Sequence, residues 1–175
     1  MKRMTAPRFR PRWLGILAVL GLACAPSSQS PVRLNEVLPS NSKNCADEVG
    51  ERNDWGELYN TSDLAVDLAG YSLTDDTASP RKSVVPQGVT IEARSALLFW
   101  ADGTPDQGKT HLTFKLSSKA EEMVLYDADE RQVDLYRWTD AYPDVSFARV
   151  PDGTGEFVRC ALPTCGEDNT SACGN

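Results

Sequence analysis

Val32-Arg33-Leu34-Asn35-Glu36-Val37-Leu38 is a short, apolar-rich run stopped by Pro39-Ser40-Asn41, and Trp55-Gly56-Glu57-Leu58-Tyr59-Asn60 follows the same pattern after Asn53-Asp54. Runs this short, closed by Pro, Gly, Asn or Asp, read as strands, because a helix needs about ten residues or more to bury one face at 3.6-residue spacing. The pattern recurs over 65–68, 71–74, 89–91, 96–100, 112–116, 123–126, 133–138 and 146–150. Between these lie turn-forming clusters such as Asn60-Thr61-Ser62-Asp63, Pro86-Gln87-Gly88, Asp102-Gly103 and Pro151-Asp152-Gly153. Regular short strands with this punctuation predict an all-β fold, an antiparallel β-sandwich or barrel. One segment admits two readings. Ser118, with Glu121 and Glu122 behind it, can cap a short helix within 118–130. The apolar run Met123-Val124-Leu125-Tyr126 favours a strand buried on both faces.

The rest of the chain bounds the function. Its 175 residues suit one domain, and 41% hydrophobic residues with charges spread along the sequence exclude both a wholly disordered chain and a multi-span membrane protein. Residues 1–23 read as a secretory leader. Lys2, Arg3, Arg8, Arg10 and Arg12 precede an unbroken apolar or glycine run from Trp13 to Ala23, too short to span a bilayer, which takes about 20 residues. Gly21-Leu22-Ala23-Cys24 resembles the bacterial lipobox, in which the chain is cut before a cysteine diacylated on sulfur; Gly21 takes the place of the usual leucine. A cut behind Ala25 would set Pro26 at the scissile bond, so the preferred reading is a lipoprotein anchored to the membrane by fatty acid, palmitate being the convenient label, on Cys24. Two or three acyl chains, at about 0.8 kcal/mol per buried methylene, make such an anchor stable. Ala25 supplies no aspartate-type retention signal. By resemblance to lipoproteins of two-membrane bacteria, this points to the outer membrane of the cell envelope, with the leaflet left open. Residues 24–31, polar and proline-bounded, read as a flexible tether.

The leader carries five positive charges and no negative ones, so the chain from Cys24 onward has a formal charge of −12 in place of −7. That surface repels phosphate backbones and argues against nucleic acid as a partner. With Cys24 on lipid, Cys45, Cys160, Cys165 and Cys173 remain. Four cysteines in an oxidising compartment predict two disulfides, with three pairings open. Cys45 lies in a loop after the first strand and the others past the last predicted one, so at least one bridge ties Cys45 to the C-terminal tail, 162–175, or to its threshold. The antibody-type arrangement, in which a disulfide links two central strands beside a tryptophan, is excluded. Trp55, Trp100 and Trp138 read as core or half-buried strand residues.

The residues also suggest a family. Asn35-Glu36-Val37-Leu38-Pro39-Ser40-Asn41 with Asn53-Asp54-Trp55-Gly56-Glu57-Leu58-Tyr59-Asn60 resembles the opening of a lamin tail domain. The likeness continues through Val66-Asp67-Leu68-Ala69-Gly70-Tyr71-Ser72-Leu73-Thr74-Asp75-Asp76, Ala101-Asp102-Gly103, His111-Leu112-Thr113-Phe114-Lys115-Leu116-Ser117 and Val124-Leu125-Tyr126-Asp127. It covers roughly 32–161, the span assigned to the folded domain. The resemblance implies an immunoglobulin-like antiparallel β-sandwich and a non-catalytic module. Gly56 departs from it, standing where a β-branched or aliphatic residue is usual, and Ala120-Glu121-Glu122 stands where a glycine-containing turn is common.

Two clusters hold candidate chemistry. Asp47, Glu48, Glu51, Asp54 and Glu57 crowd five carboxylates around Gly50, a candidate calcium site, since calcium takes six to eight oxygens from such loops. Their spacing fits no EF-hand, and the alternative is an acidic loop pinned by Cys45. Asp75, Asp76, Asp102 and Asp106 read as turn residues. His111, the only histidine, could serve as a base, but no G-x-S-x-G elbow accompanies it. A structural imidazole is the preferred reading. No catalytic residue and no other cofactor is assigned. The expected function is a lipid-anchored envelope interaction module binding a protein or an envelope polysaccharide. The alternatives are a structural or accessory lipoprotein and, last, a secreted hydrolase.

Overall fold

The computed structural model describes Met1 and residues 29–173. The leader, Cys24 and most of the tether lie outside these residues. Ser30 and Pro31, at the tether's end, are held to the body: Ser30 Oγ lies 3.0 Å from the Tyr71 hydroxyl, and Thr61 donates its N–H and its hydroxyl to the Pro31 carbonyl.

Among the described residues the strands are β1 (Val32–Leu38), β2 (Trp55–Asn60), β3 (Val66–Asp67), β4 (Ser72–Thr74), β5 (Ser83–Val84), β6 (Thr90–Ile91), β7 (Ala96–Trp100), β8 (Glu121–Tyr126), β9 (Gln132–Trp138), β10 (Ser146–Val150) and β11 (Glu156–Cys160). One helical turn, α1 (Asn169–Cys173), follows. The strands form a five-stranded sheet, β11-β10-β1-β2-β7, a four-stranded sheet, β5-β4-β8-β9, and a two-stranded ribbon, β3-β6. All strand pairs are antiparallel. The core lies between the sheets: Leu34, Val37, Leu58 and Phe99 from one meet Leu73, Met123 and Leu125 from the other. This is the antiparallel β-sandwich that the strand pattern predicts, of the immunoglobulin-like kind that the resemblance implies.

Two differences from the sequence reading, and the outcome for the segment that admits two readings, where the favoured strand is found, have physical causes. Residues 112–116 form no strand. Leu112, Phe114 and Leu116 are buried while Thr113 and Lys115 are exposed, so the side chains alternate as expected. The backbone nevertheless finds only single bridges, Trp100 with His111 and Asp102 with Lys115. Alternation reports which side chains face the core; it does not report pairing. Residues 118–130 contain no helix: β8 runs through them because both of its edges find a partner, β4 and β9. Cys160 does not lie past the last strand but ends β11, which follows a turn at Pro151-Asp152-Gly153 and pairs with β10 along its whole length.

The four-stranded sheet is also clasped to the other one. β1 and β10 pair only at Glu36–Ala148 and Val37–Phe147. Above that the gap is filled by side chains: Asp134 of β9 accepts the Leu34 N–H at 3.0 Å, and Arg149 of β10 donates to the Leu34 carbonyl at 2.8 Å and to both oxygens of Asp134. Two backbone groups without strand partners are thereby satisfied by an ion pair that spans the sandwich.

Gly56 has its explanation here. A Cβ on Gly56 would lie 2.3 Å from Met123 Sδ, so methionine fills the space a branched residue would take. Met123 is fully buried, so its thioether must repack within the core to admit a side chain there. Gly56→Val is expected to lower stability by about 1–3 kcal/mol through overpacking. Gly56→Val with Met123→Ala should recover part of that loss, measured as the midpoint of chemical denaturation; a double variant no more stable than Gly56→Val would contradict this packing.

Candidate functional site

The outer face of the five-stranded sheet is where the sequence places its polar residues and where the structure buries them. A β-bulge between Leu34 and Glu36 puts Asn35 and Glu36 on this face together, between Leu34 and Val37, which both point into the core. Glu36 stands directly opposite Glu57 on β2, and both are fully buried. The cover is the C-terminal segment. Thr164 gives Glu36 its N–H and, at 2.6 Å, its hydroxyl, and Ser146 adds a short hydroxyl bond. Gly166 gives Glu57 its N–H at 2.7 Å, and Asn35 donates to Glu57 at 2.8 Å and to Asp152 at 2.9 Å. Asn169, buried at the start of α1, donates to the carbonyls of Asn35 and Arg149.

Further along the same face Leu38, Trp55 and Trp100 form a second apolar cluster against Cys45, Leu98 and Cys165. Two disulfides fasten the cover: Cys45–Cys165, 120 residues apart in sequence, and Cys160–Cys173, 13 apart. Burial raises the pKa of both glutamates, and Glu57 is pushed up to about 8, since the Asn35 hydrogen bond only partly offsets burial and Glu36 adds repulsion. Every carboxyl oxygen of the two glutamates faces a protein donor, which makes the network a structural joint.

The second constellation surrounds His111. Its imidazole is buried, with Nδ1 2.5 Å from Asp102 Oδ2 and Nε2 3.1 Å from Glu48 Oε1. Burial disfavours its charge, but the two carboxylates outweigh that and raise its pKa. Both ring nitrogens are therefore spoken for, so the imidazole has no nitrogen to turn towards a substrate in this arrangement. A small cavity of about 130 Å³ lies beside it, lined by Ser83, Phe99, Lys109 and Thr113 among others.

The five carboxylates of the calcium reading do not converge. Glu57 belongs to the joint under the C-terminal cover, and Asp54 accepts the Asn41 N–H at 2.8 Å. Asp47 shapes its own loop, accepting the N–H groups of Val49 and Glu51, and Glu51 lies 3.3 Å from the Asn53 amide. Glu48 reaches His111. Asp47, Asp102 and His111 instead place one ligand atom each within 4.8 Å of one another. The sequence reading did not join them, because Asp102 and His111 come from a different loop. Asp102 keeps its expected turn role, accepting the Thr104 N–H, and Asp76 does the same for Ala78. Trp55, Trp100 and Trp138 are all buried.

The surface is not uniformly polar. Tyr142, Val158 and Leu162 are exposed near β11, which is the free edge of its sheet. Arg159 stacks over Tyr142, 4.9 Å from its ring centroid. Among the described residues no helix is long and apolar enough to cross a membrane.

In comparison with known proteins, the family model described as Lamin Tail Domain matches residues 25–140. The match stops short of β10, β11 and the C-terminal cover. None of the curated proteins matches the chain.

The buried glutamates make stability depend on pH in a stated direction. A folded pKa above the ordinary 4.5 means that the contribution of Glu57 is complete below about pH 4.5 and is lost as pH rises towards 8. Thermal melts of the wild type and Glu57→Gln should coincide near pH 4.5 and separate by pH 8.5, with the variant the more stable; parallel curves would contradict the assignment. Cys45→Ser should cost about 2–5 kcal/mol, read by denaturant titration under oxidising conditions.

Proposed function

Because the chain belongs to the lamin tail domain family, we propose that it is a non-catalytic interaction module of the bacterial cell envelope, held on a membrane by lipid on Cys24. Two disulfides fit an oxidising compartment outside the cytoplasm. The basic-then-apolar leader ending in Gly21-Leu22-Ala23-Cys24 supplies the export and anchoring signal. The outer membrane is the favoured destination, since no aspartate follows the cysteine.

The observation that carries the interaction reading is the β11 edge. Exposed Val158 on one face of β11, and Arg159 with exposed Tyr142 on the other, flank a strand whose second edge has no partner in the sheet among the described residues. Main-chain groups on an open edge can add a strand from another protein, with neighbouring apolar side chains providing specificity. A protein is therefore the favoured partner. An envelope polysaccharide stacking on Tyr142 is the second reading, favoured by the exposed ring beside a guanidinium. A hydrolase is disfavoured by the occupation of both His111 nitrogens.

Two measurements test the two halves. Metabolic labelling with palmitate should mark the wild-type chain and not Cys24→Ala; label retained in the variant would refute the anchor. A photo-crosslinking residue at Val158 should give a discrete adduct in intact cells, while the same residue at Leu64, exposed outside the strands of the two sheets, should give none. Equal adducts at both positions, or none at Val158, would refute the edge as the contact surface.

A further inference from the structure

We propose that Asp47, Asp102 and His111 form a binding site for one divalent transition cation of the zinc type, with Glu48 orienting the imidazole from its far side. The argument begins with proton counting. Glu48 faces Nε2 and Asp102 faces Nδ1, so an imidazole with a single proton satisfies one carboxylate and turns a lone pair towards the other. Nδ1 and Asp102 Oδ2 are 2.5 Å apart and out of water, and two electron-rich atoms so placed require a positive species between them. A second proton meets that need for the two carboxylates that face the ring, Nδ1–H donating to Asp102 and Nε2–H to Glu48. An imidazolium has two N–H groups, and the cluster holds a third carboxylate, Asp47, which is also buried.

Asp47 is prepared for more than its loop. Its Oδ1 accepts the N–H groups of Val49 and Glu51 at 3.0 and 2.8 Å, while Oδ2 has only the side-chain amide of Asn53 at 3.3 Å. Asp102 divides its oxygens in the same way, Oδ1 to the Thr104 N–H and Oδ2 to the imidazole. Each carboxylate thus fixes itself to backbone through one oxygen and presents the other. Among the described residues the ion pairs of Glu48 and Asp102 are with His111 alone, so no lysine or arginine balances the cluster. A divalent ion does so.

One imidazole with two carboxylates suits zinc and its neighbours, whereas calcium takes an all-oxygen shell. Bonds of about 2.0–2.2 Å in a tetrahedral shell set nitrogen and oxygen about 3.3 Å apart, so Asp102 would withdraw by less than about 1 Å when the ion replaces the proton. With the metal on Nδ1, Nε2–H donates to Glu48, the carboxylate–histidine–metal relay that fixes tautomer and ring orientation. Three protein ligands leave a coordination position open. Cys45, Cys160, Cys165 and Cys173 are all in disulfides and supply no competing thiolate.

The test uses the untagged, full-length, oxidised chain, titrated with zinc chloride by calorimetry and followed by thermal melting, with calcium and magnesium chloride as comparisons. Zinc is expected to bind at one equivalent and raise the Tm, and calcium to do neither. Glu48 is half-exposed, so Glu48→Gln should fold normally, keep its metal-free Tm and lose about 10–100-fold in zinc affinity. His111→Gln should abolish the one-equivalent event, and cobalt(II) bound by the wild type should show no thiolate charge-transfer band. Absence of zinc binding, equal response to calcium, or equal zinc affinity in wild type and Glu48→Gln would each overturn the site. The last outcome also catches zinc held elsewhere, as on Cys24.

Discussion

The five-stranded sheet is apolar on its inner face and apolar beside carboxylates on its outer one, and the apolar part of neither face can be left to water. Its inner face is ordinary sandwich core. Its outer face carries Leu38, Trp55 and Trp100 beside the facing pair Glu36 and Glu57. Covering the first three without donors for the other two would strand a pair of carboxyl groups in a low-dielectric layer, at a cost of several kcal/mol for each charge. The C-terminal segment meets both needs at once: Cys165 packs on the tryptophans, and the Thr164 and Gly166 N–H groups, one residue to either side of it, reach the glutamates. The disulfides hold in place a cover too short to stay folded alone.

The same arrangement explains why the loop after β1 can carry chemistry. The Cys45–Cys165 bridge fixes one end of the acidic loop, and Asp47 fixes its interior by accepting backbone N–H groups. Glu48 is then delivered to the imidazole of a loop more than sixty residues away in sequence. An anchored loop laid across a second loop positions groups more tightly than either could alone.

Much of the sandwich could be read from the chain because its strands are short, apolar and closed by turn residues. β1, β2, β7 and β10 coincide with the runs that announce them. Residues 112–116 misled because their alternation belongs to a buried loop edge. β11 was missed although Phe157 and Val158 mark it, since Glu156 and Arg159 dilute its apolar character as an edge strand's charges do. α1, at five residues, is too short to show any helical period. The site was only half legible. The acidic loop stood out by composition, whereas its junction with Asp102 and His111 depends on how two distant loops cross, and Glu57 left the cluster because β2 turns it to the covered face.

The strand order β11-β10-β1-β2-β7 sets the last strands made beside the first. A chain leaving the ribosome or a translocation pore from its N-terminus therefore presents β1 with one flank empty until nearly all of it has emerged, and Cys45 must wait 120 residues for its thiol partner. Folding of this kind cannot ratchet forward piece by piece. Closure is a terminal event, dominated by pairings between distant parts of the chain. A version cut at the end of the span that matches the family would strip Glu36 of Ser146 and Thr164, leave Glu57 with Asn35 alone, and be an unfinished molecule.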